Sequence, residues 1–211
     1  MSACDFCDEF AGGINNAYAR RYGGANRTVL QRSGFRVFPS LGQIVEGHLL
    51  IVPEEHCSAL ADIPTNQTAA FESLCRQVKC IVQDVYGSCI LFEHGVRSST
   101  AGGCGIVHAH MHAVPVAAQG VMKTLVRQFK CFRVGRIGDM RARPGAQASY
   151  LYFEGDRSNR CAFVVDHIPS QYLRKLVAES IGKHDWDWRA CGRERELIAT
   201  LKRLTPLFPQ V

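Results

Sequence analysis

Apolar and polar positions along the chain follow two periods. Between Thr28 and Pro53 the runs TVLQRS, FRVFPS and HLLIVP are separated by Gly34 and by a GQIVEG turn, a spacing that predicts short strands. A helix follows. Phe71, Leu74, Val78, Ile81 and Val85 recur at intervals of three and four, giving one apolar stripe, with Thr65 as its cap and Gly87 as its stop. CILFEHG predicts a strand, then a Ser- and Gly-rich loop from Val96 to Gly105, then a strand IVHAHMHAVPV. LVRQFKCFRV, YLYFEGD and CAFVVDHIP predict further strands, with a turn-rich RIGDMRARPGAQ after the first. A helix opens at Pro169, runs to about Ile181 and ends at Gly182; a basic one runs from Arg193 to Leu204, where Pro206 stops it. Strands on both sides of one long helix, joined by hairpin-length connections, predict an α+β antiparallel sheet, with residues 1–138 as one domain and 139–211 as a C-terminal extension of strands and helices.

Composition narrows the class. The chain has 211 residues, 46% hydrophobic and 21% charged, enough to bury a core and unlike a disordered, collagenous or coiled-coil protein. MSACDFCDEFAGG lacks the basic end and apolar run of a signal peptide, and no segment has the ~18 to 20 apolar residues of a membrane span. The expectation is a cytoplasmic protein with no membrane partner, in which most of the ten cysteines are reduced thiols. The net charge of +6 suits an anionic ligand and leaves nucleic acid open as a partner. Lys123, Arg127, Lys130, Arg133, Arg136, Arg141 and Arg143 concentrate in one stretch, either a solvated surface or a phosphate-facing rim.

The candidate chemistry lies in one strand. His108, His110 and His112 alternate with Ala109, Met111 and Ala113, so a period of two puts three imidazoles on one face and small apolar groups on the other. Three imidazoles at this spacing can ligate a catalytic zinc, or one can attack a substrate while its neighbours orient it and handle protons. Cys4 and Cys7 form a C-x-x-C, a spacing that suits a tetrahedral metal, a redox pair or two ordinary thiols.

HAHMHAV, preceded by AGGCG and by an upstream GHLLIVPEEH strand, resembles the histidine-triad (HIT) superfamily of nucleotide hydrolases and transferases, over roughly Cys4 to Val116. The resemblance implies a HIT-like antiparallel sheet with the long helix packed on it and a catalytic domain over 1–138. It implies His110 as the nucleophile that attacks the α-phosphorus and forms a covalent nucleotidyl-histidine, which water cleaves. His112 would hydrogen-bond the phosphate or leaving-group oxygen and supply a proton, and His48 would stand beside the triad. The loop backbone at Gly103, Cys104, Gly105 and Ile106 would take the place of a missing polar side chain at Cys104 as an anion nest. Ser40 stands where relatives carry a ribose-binding Asp or Asn, and Arg174 would reach a substrate phosphate. Apart from the resemblance, Glu93 and His94 ahead of the glycine-rich loop either orient an imidazole from behind or form a polar pair at a strand end, and Trp186 and Trp188 read as packing anchors rather than base-stacking platforms.

The resemblance further implies a structural zinc held by Cys4, Cys7, His56 and His108, a closed Cys2His2 set that leaves His110 free to attack. Cys57, beside His56, is the competing ligand. The expected activity is hydrolysis of a nucleotide phosphoanhydride, phosphoester or phosphoramidate. The alternatives are a nucleotidyltransferase or phosphorylase using the same intermediate, and a nucleotide-binding module with little turnover. A homodimer is compatible with this reading.

Overall fold

A computed structural model describes residues 4–24, 26–96, 105–117, 119–142, 148–155 and 159–209. Two short helices open the chain, α1 (Asp5–Phe10) and α2 (Ala17–Tyr22). Strands β1 (Leu30–Arg32), β2 (Phe35–Pro39) and β3 (Leu49–Pro53) follow, then the long α3 (Thr65–Tyr86). Next come β4 (Ile90–Gly95), β5 (Met111–Val114), α4 (Gln119–Gln128) and β6 (Cys131–Arg133). The chain ends with β7 (Ser149–Glu154), β8 (Arg160–Val165), α5 (Tyr172–Ser180) and α6 (Glu194–Leu204). All eight strands form one sheet in the order β1-β2-β3-β5-β4-β7-β8-β6, antiparallel throughout. The fold is the α+β class the patterning predicts.

Several elements differ from expectation. Thr65 is the first helical residue and Pro64 the cap, with no side-chain cap bond; proline pre-sets the φ this position needs. Gly87 does close α3, in the left-handed conformation at φ 84°. LVRQFKCFRV is not one strand: its first four residues end α4 and only Cys131–Arg133 pair with β8. Val121 and Leu125, four apart, supply the buried stripe that a strand reading overlooks. RIGDMRARPGAQ contains a 3-10 helix at Ile137–Ala142. The sheet also runs across position 139, because β7 and β8 pair with β4 and β6 from the earlier part of the chain.

The two faces of the sheet have different covers. On one, Phe71, Leu74, Val78 and Val82 of α3 pack with Ile51, Leu91, Met111 and Ala113. On the other, Phe92, Val114 and Phe153 pack beneath α4 and α5, while Phe38, Leu50 and Val52 pack beneath Phe6 of α1. Between these two covers lies a cavity, and the histidines open into it.

Candidate active site

The triad strand is shorter than its pattern. Regular ladder pairing begins only at Met111, so His108 and His110 lie in the approach to β5. The alternation nevertheless persists. Ala109, Met111 and Ala113 are buried against α3, and the three imidazoles take the opposite side.

Each ring has its tautomer set by its neighbours. His110 Nδ1 lies 2.6 Å from the His108 carbonyl oxygen. A carbonyl only accepts, so Nδ1 carries the proton and Nε2 keeps its lone pair. The Ile44 N–H donates to His48 Nδ1 at 3.4 Å, which leaves the His48 proton on Nε2, 2.9 Å from His112 Nδ1. His112 therefore carries its own proton on Nε2. The chain Ile44–His48–His112 thus yields a neutral imidazole that donates. The His112 ring stacks on Phe92, centroids 4.4 Å apart at 14°.

Burial keeps these rings uncharged. It pushes His48 and His112 well below the usual histidine pKa and His110 down to about 4; Arg174 lowers all three further. The turn that carries His48 is fixed by Gln43, which is fully buried. Its amide donates to the Ser40 and His48 carbonyls at 2.9 and 2.7 Å, and its oxygen accepts from the His48 N–H and the Thr200 hydroxyl. Gly47 in the same turn has φ 88°, and a Cβ there would meet the Tyr86 ring at 2.5 Å. The hydrophobic pattern marks this segment as a turn and gives no signal for Gln43, whose role depends on packing against α6.

The cavity, about 690 Å³ including its open mouth, is lined by His110, His112, His94, Phe92 and Leu50, by Phe6 and Tyr18 from the N-terminal helices, and by Ser40, Arg174 and Trp188. Gly105 and Ile106 line it too; Gly103 and Cys104 lie outside the described residues. Trp188 is therefore a cavity wall and not only a packing anchor. Glu93 faces away from the imidazoles: its carboxylate accepts from the Leu60 N–H and the Tyr150 hydroxyl, correcting the expectation that it orients a ring from behind. His94, next to it, takes the cavity side. No described member of the late basic stretch lines this cavity.

Cys4, Cys7, His56 and His108 come together, their ligand atoms all within 4.8 Å of one another. His108 Nδ1 is 3.3 Å from Cys4 Sγ and 3.6 Å from Cys7 Sγ, and His56 Nδ1 is 3.4 Å from Cys7 Sγ. A tetrahedral zinc with its usual bond lengths has S···N edges of about 3.6 Å. His108 Nε2 lies 2.8 Å from the Pro53 carbonyl and must donate to it, which leaves Nδ1 unprotonated toward the thiols. These four residues can hold a metal. Cys57 is not among them; it packs against the core, and burial pushes its thiol up to about 12.

No protein-family profile and no curated protein matches this chain. Solved structures do resemble it in part. A hypothetical histidine triad nucleotide-binding protein from Sulfolobus tokodaii aligns with TM-score 0.41 and 19% identity, covering 54% of this chain and 68% of that one. A Zn-bound histidine triad family protein from Mycobacterium smegmatis gives 0.39 and 18%, covering 54% and 74%. A member of the HIT family from Bacillus subtilis gives 0.43 and 17%, covering 54% and 73%. All three are histidine-triad proteins by name. The likeness is structural, at low identity. No helix among the described residues is long and apolar enough to cross a membrane.

Proposed function

We propose that the chain is a HIT-type hydrolase that cleaves a nucleotide phosphoanhydride, phosphoester or phosphoramidate through a covalent intermediate on His110. The observation that carries this reading is the hydrogen bond from His110 Nδ1 to the His108 carbonyl, which leaves the Nε2 lone pair on a residue lining the cavity. Nε2 attacks phosphorus, a P–N bond forms and the P–O or P–N bond to the leaving group breaks. The ring becomes positively charged, and the carbonyl that holds Nδ1–H stabilises that charge. His112, a neutral donor by virtue of His48, hydrogen-bonds the leaving atom; a leaving phosphate departs as an anion, whereas an alcohol or amine leaving group takes a proton from solvent as its bond breaks, which the water of the second step returns. Water then attacks phosphorus, the P–N bond to His110 breaks with its electron pair returning to Nε2, and the water proton passes to solvent.

The loop backbone at Gly105 and Ile106, which lines the cavity, would offer N–H groups to the phosphoryl oxygens. Zinc held by Cys4, Cys7, His56 and His108 would be structural, since four protein ligands leave no open position. It would tie α1, and with it Phe6, to the triad. Phe6 sits 5.6 Å from both the His108 and His110 rings.

The test is direct. The protein is mixed with a diadenosine polyphosphate or an adenosine phosphoramidate, quenched in alkali and digested. A mass increase of one adenylyl group is expected on the peptide containing His110. Turnover that persists undiminished in His110→Ala would overturn the assignment. Release of AMP in water, against a different nucleotide product when inorganic phosphate is added, separates hydrolase from phosphorylase.

A further inference from the structure

Among the described residues, the cavity contains one cation with no carboxylate in ion-pair contact. Arg27 lines it but is locked to Glu9, both bonds at 2.7 Å. Asp5 accepts the Ala17 N–H and lies 3.5 Å from Arg20. Arg174, brought in by α5, is 4% exposed and has no carboxylate within ion-pair distance among the described residues. Its guanidinium is held by neutral acceptors only: Nε by the Trp186 carbonyl at 3.1 Å, Nη1 by the Ser40 hydroxyl at 3.2 Å, and Nη2 by the Gly42 carbonyl. Asp187, the nearby acid, accepts the Gln171 amide and the Arg189 N–H on Oδ1 and attracts Arg174 through space without forming an ion pair with it. Three of the five guanidinium N–H donors are thus used, and two remain.

Burying a charge with no carboxylate in direct contact is costly, and a site that does so is poised for an anionic ligand. The histidines around it are neutral and supply no charge of their own. Ser40 donates its only hydroxyl proton to the Leu41 carbonyl at 3.0 Å and accepts from Arg174, so it serves as a prop for the guanidinium before it serves a ribose.

We infer that Arg174, steadied by Ser40, is the anion anchor of this cavity and holds the phosphoryl group presented to His110. The ligand class is a phosphate ester or anhydride whose phosphoryl charge, more than its nucleoside, drives binding. This rests on the proposal that His110 attacks phosphorus, and it makes residues beyond 139 part of the site. A phosphate bound this way is drawn in by charge and positioned by the fixed fork of the guanidinium.

Calorimetric titration of the full chain with AMP, adenosine and inorganic phosphate tests the inference without turnover. The wild type is expected to bind AMP about tenfold or more tightly than adenosine. In Arg174→Gln that preference should fall to about twofold while adenosine binding is unchanged, and Arg174→Lys should recover part of it. An AMP preference that survives in Arg174→Gln overturns the inference, as does an equal loss of AMP and adenosine binding, the mark of a merely structural prop. Should Arg174→Gln not fold, Ser40→Ala is read instead: its AMP preference should drop at least about threefold, and an unchanged one overturns the inference. AMP selectivity without a His110 adduct would sink the covalent mechanism and leave the anchor standing.

Discussion

At the residue scale, the tautomer of each imidazole decides what it can do. His112 donates because His48 gives it a hydrogen bond, and His48 can do so because the Ile44 backbone N–H occupies its other nitrogen. Replacing His48 by Ala is expected to lower kcat about 10- to 100-fold with little change in KM, and Gln, which can still donate, should restore much of it. Steady-state kinetics on the substrate that gives the His110 adduct checks both. The same pair makes the fold acid-sensitive. His48 and His112 have folded pKa values well below 6.5, their ordinary value, so the unfolded chain takes up protons that the folded one refuses. Their contribution to stability is full above about pH 6.5 and is lost progressively as pH falls below it. Thermal melts from pH 7 to pH 4.5 should show a shallower decline for His48→Gln than for the wild type. Equal slopes would remove His48 from the linkage.

Elements show why part of the site is legible in the sequence and part is not. Alternation about His110 marks the imidazole face even though regular pairing starts only at Met111, because burial of Ala109, Met111 and Ala113 against α3 imposes the same period as a ladder would. The C-x-x-C and His56 are visible by spacing and resemblance, and they do meet. Neither α1 nor α2 shows in the patterning: six residues each, they are too short to display a stripe, and their packing is tertiary, Phe6 of α1 on Phe38 and Leu50 of the sheet and Tyr18 of α2 with Leu41 and Leu197. Gln43 and Phe92 are invisible because their partners lie on other elements. The dependence of α1 on its cluster gives a prediction. In Cys4→Ser/Cys7→Ser, elemental analysis should find about one fewer zinc per chain. Phe6 should lose its seat against His108 and His110, with a lower Tm and weaker AMP binding. Chelation of the wild type should produce the same shift. Zinc retained in the double variant and lost only when His110 and His112 are both replaced would instead place the metal at the catalytic rings.

For the whole molecule, the question is whether the segment after residue 138 is an appendage. β7 inserts directly beside β4, one strand from the triad strand β5, so the sheet continues into it without a seam. The cluster under α4 and α5 is shared in the same way. Phe92, Val114 and Leu125 from the first part interdigitate with Leu151, Phe153, Phe163 and Val177 from the second. Each large apolar side chain stripped of its cover forfeits about 1.5 to 3 kcal/mol, and a domain holds only about 5 to 15 kcal/mol in reserve. Losing four such partners, together with the β4–β7 ladder, exceeds that reserve or nearly so. A chain ending at residue 138 is therefore expected to show no cooperative thermal transition and to aggregate, whereas co-expression with residues 139–211 should restore a soluble complex. A truncated chain that melts cooperatively and binds zinc would establish 1–138 as an independent domain. It would still lack Arg174, so its AMP preference over adenosine should be absent even if it folds.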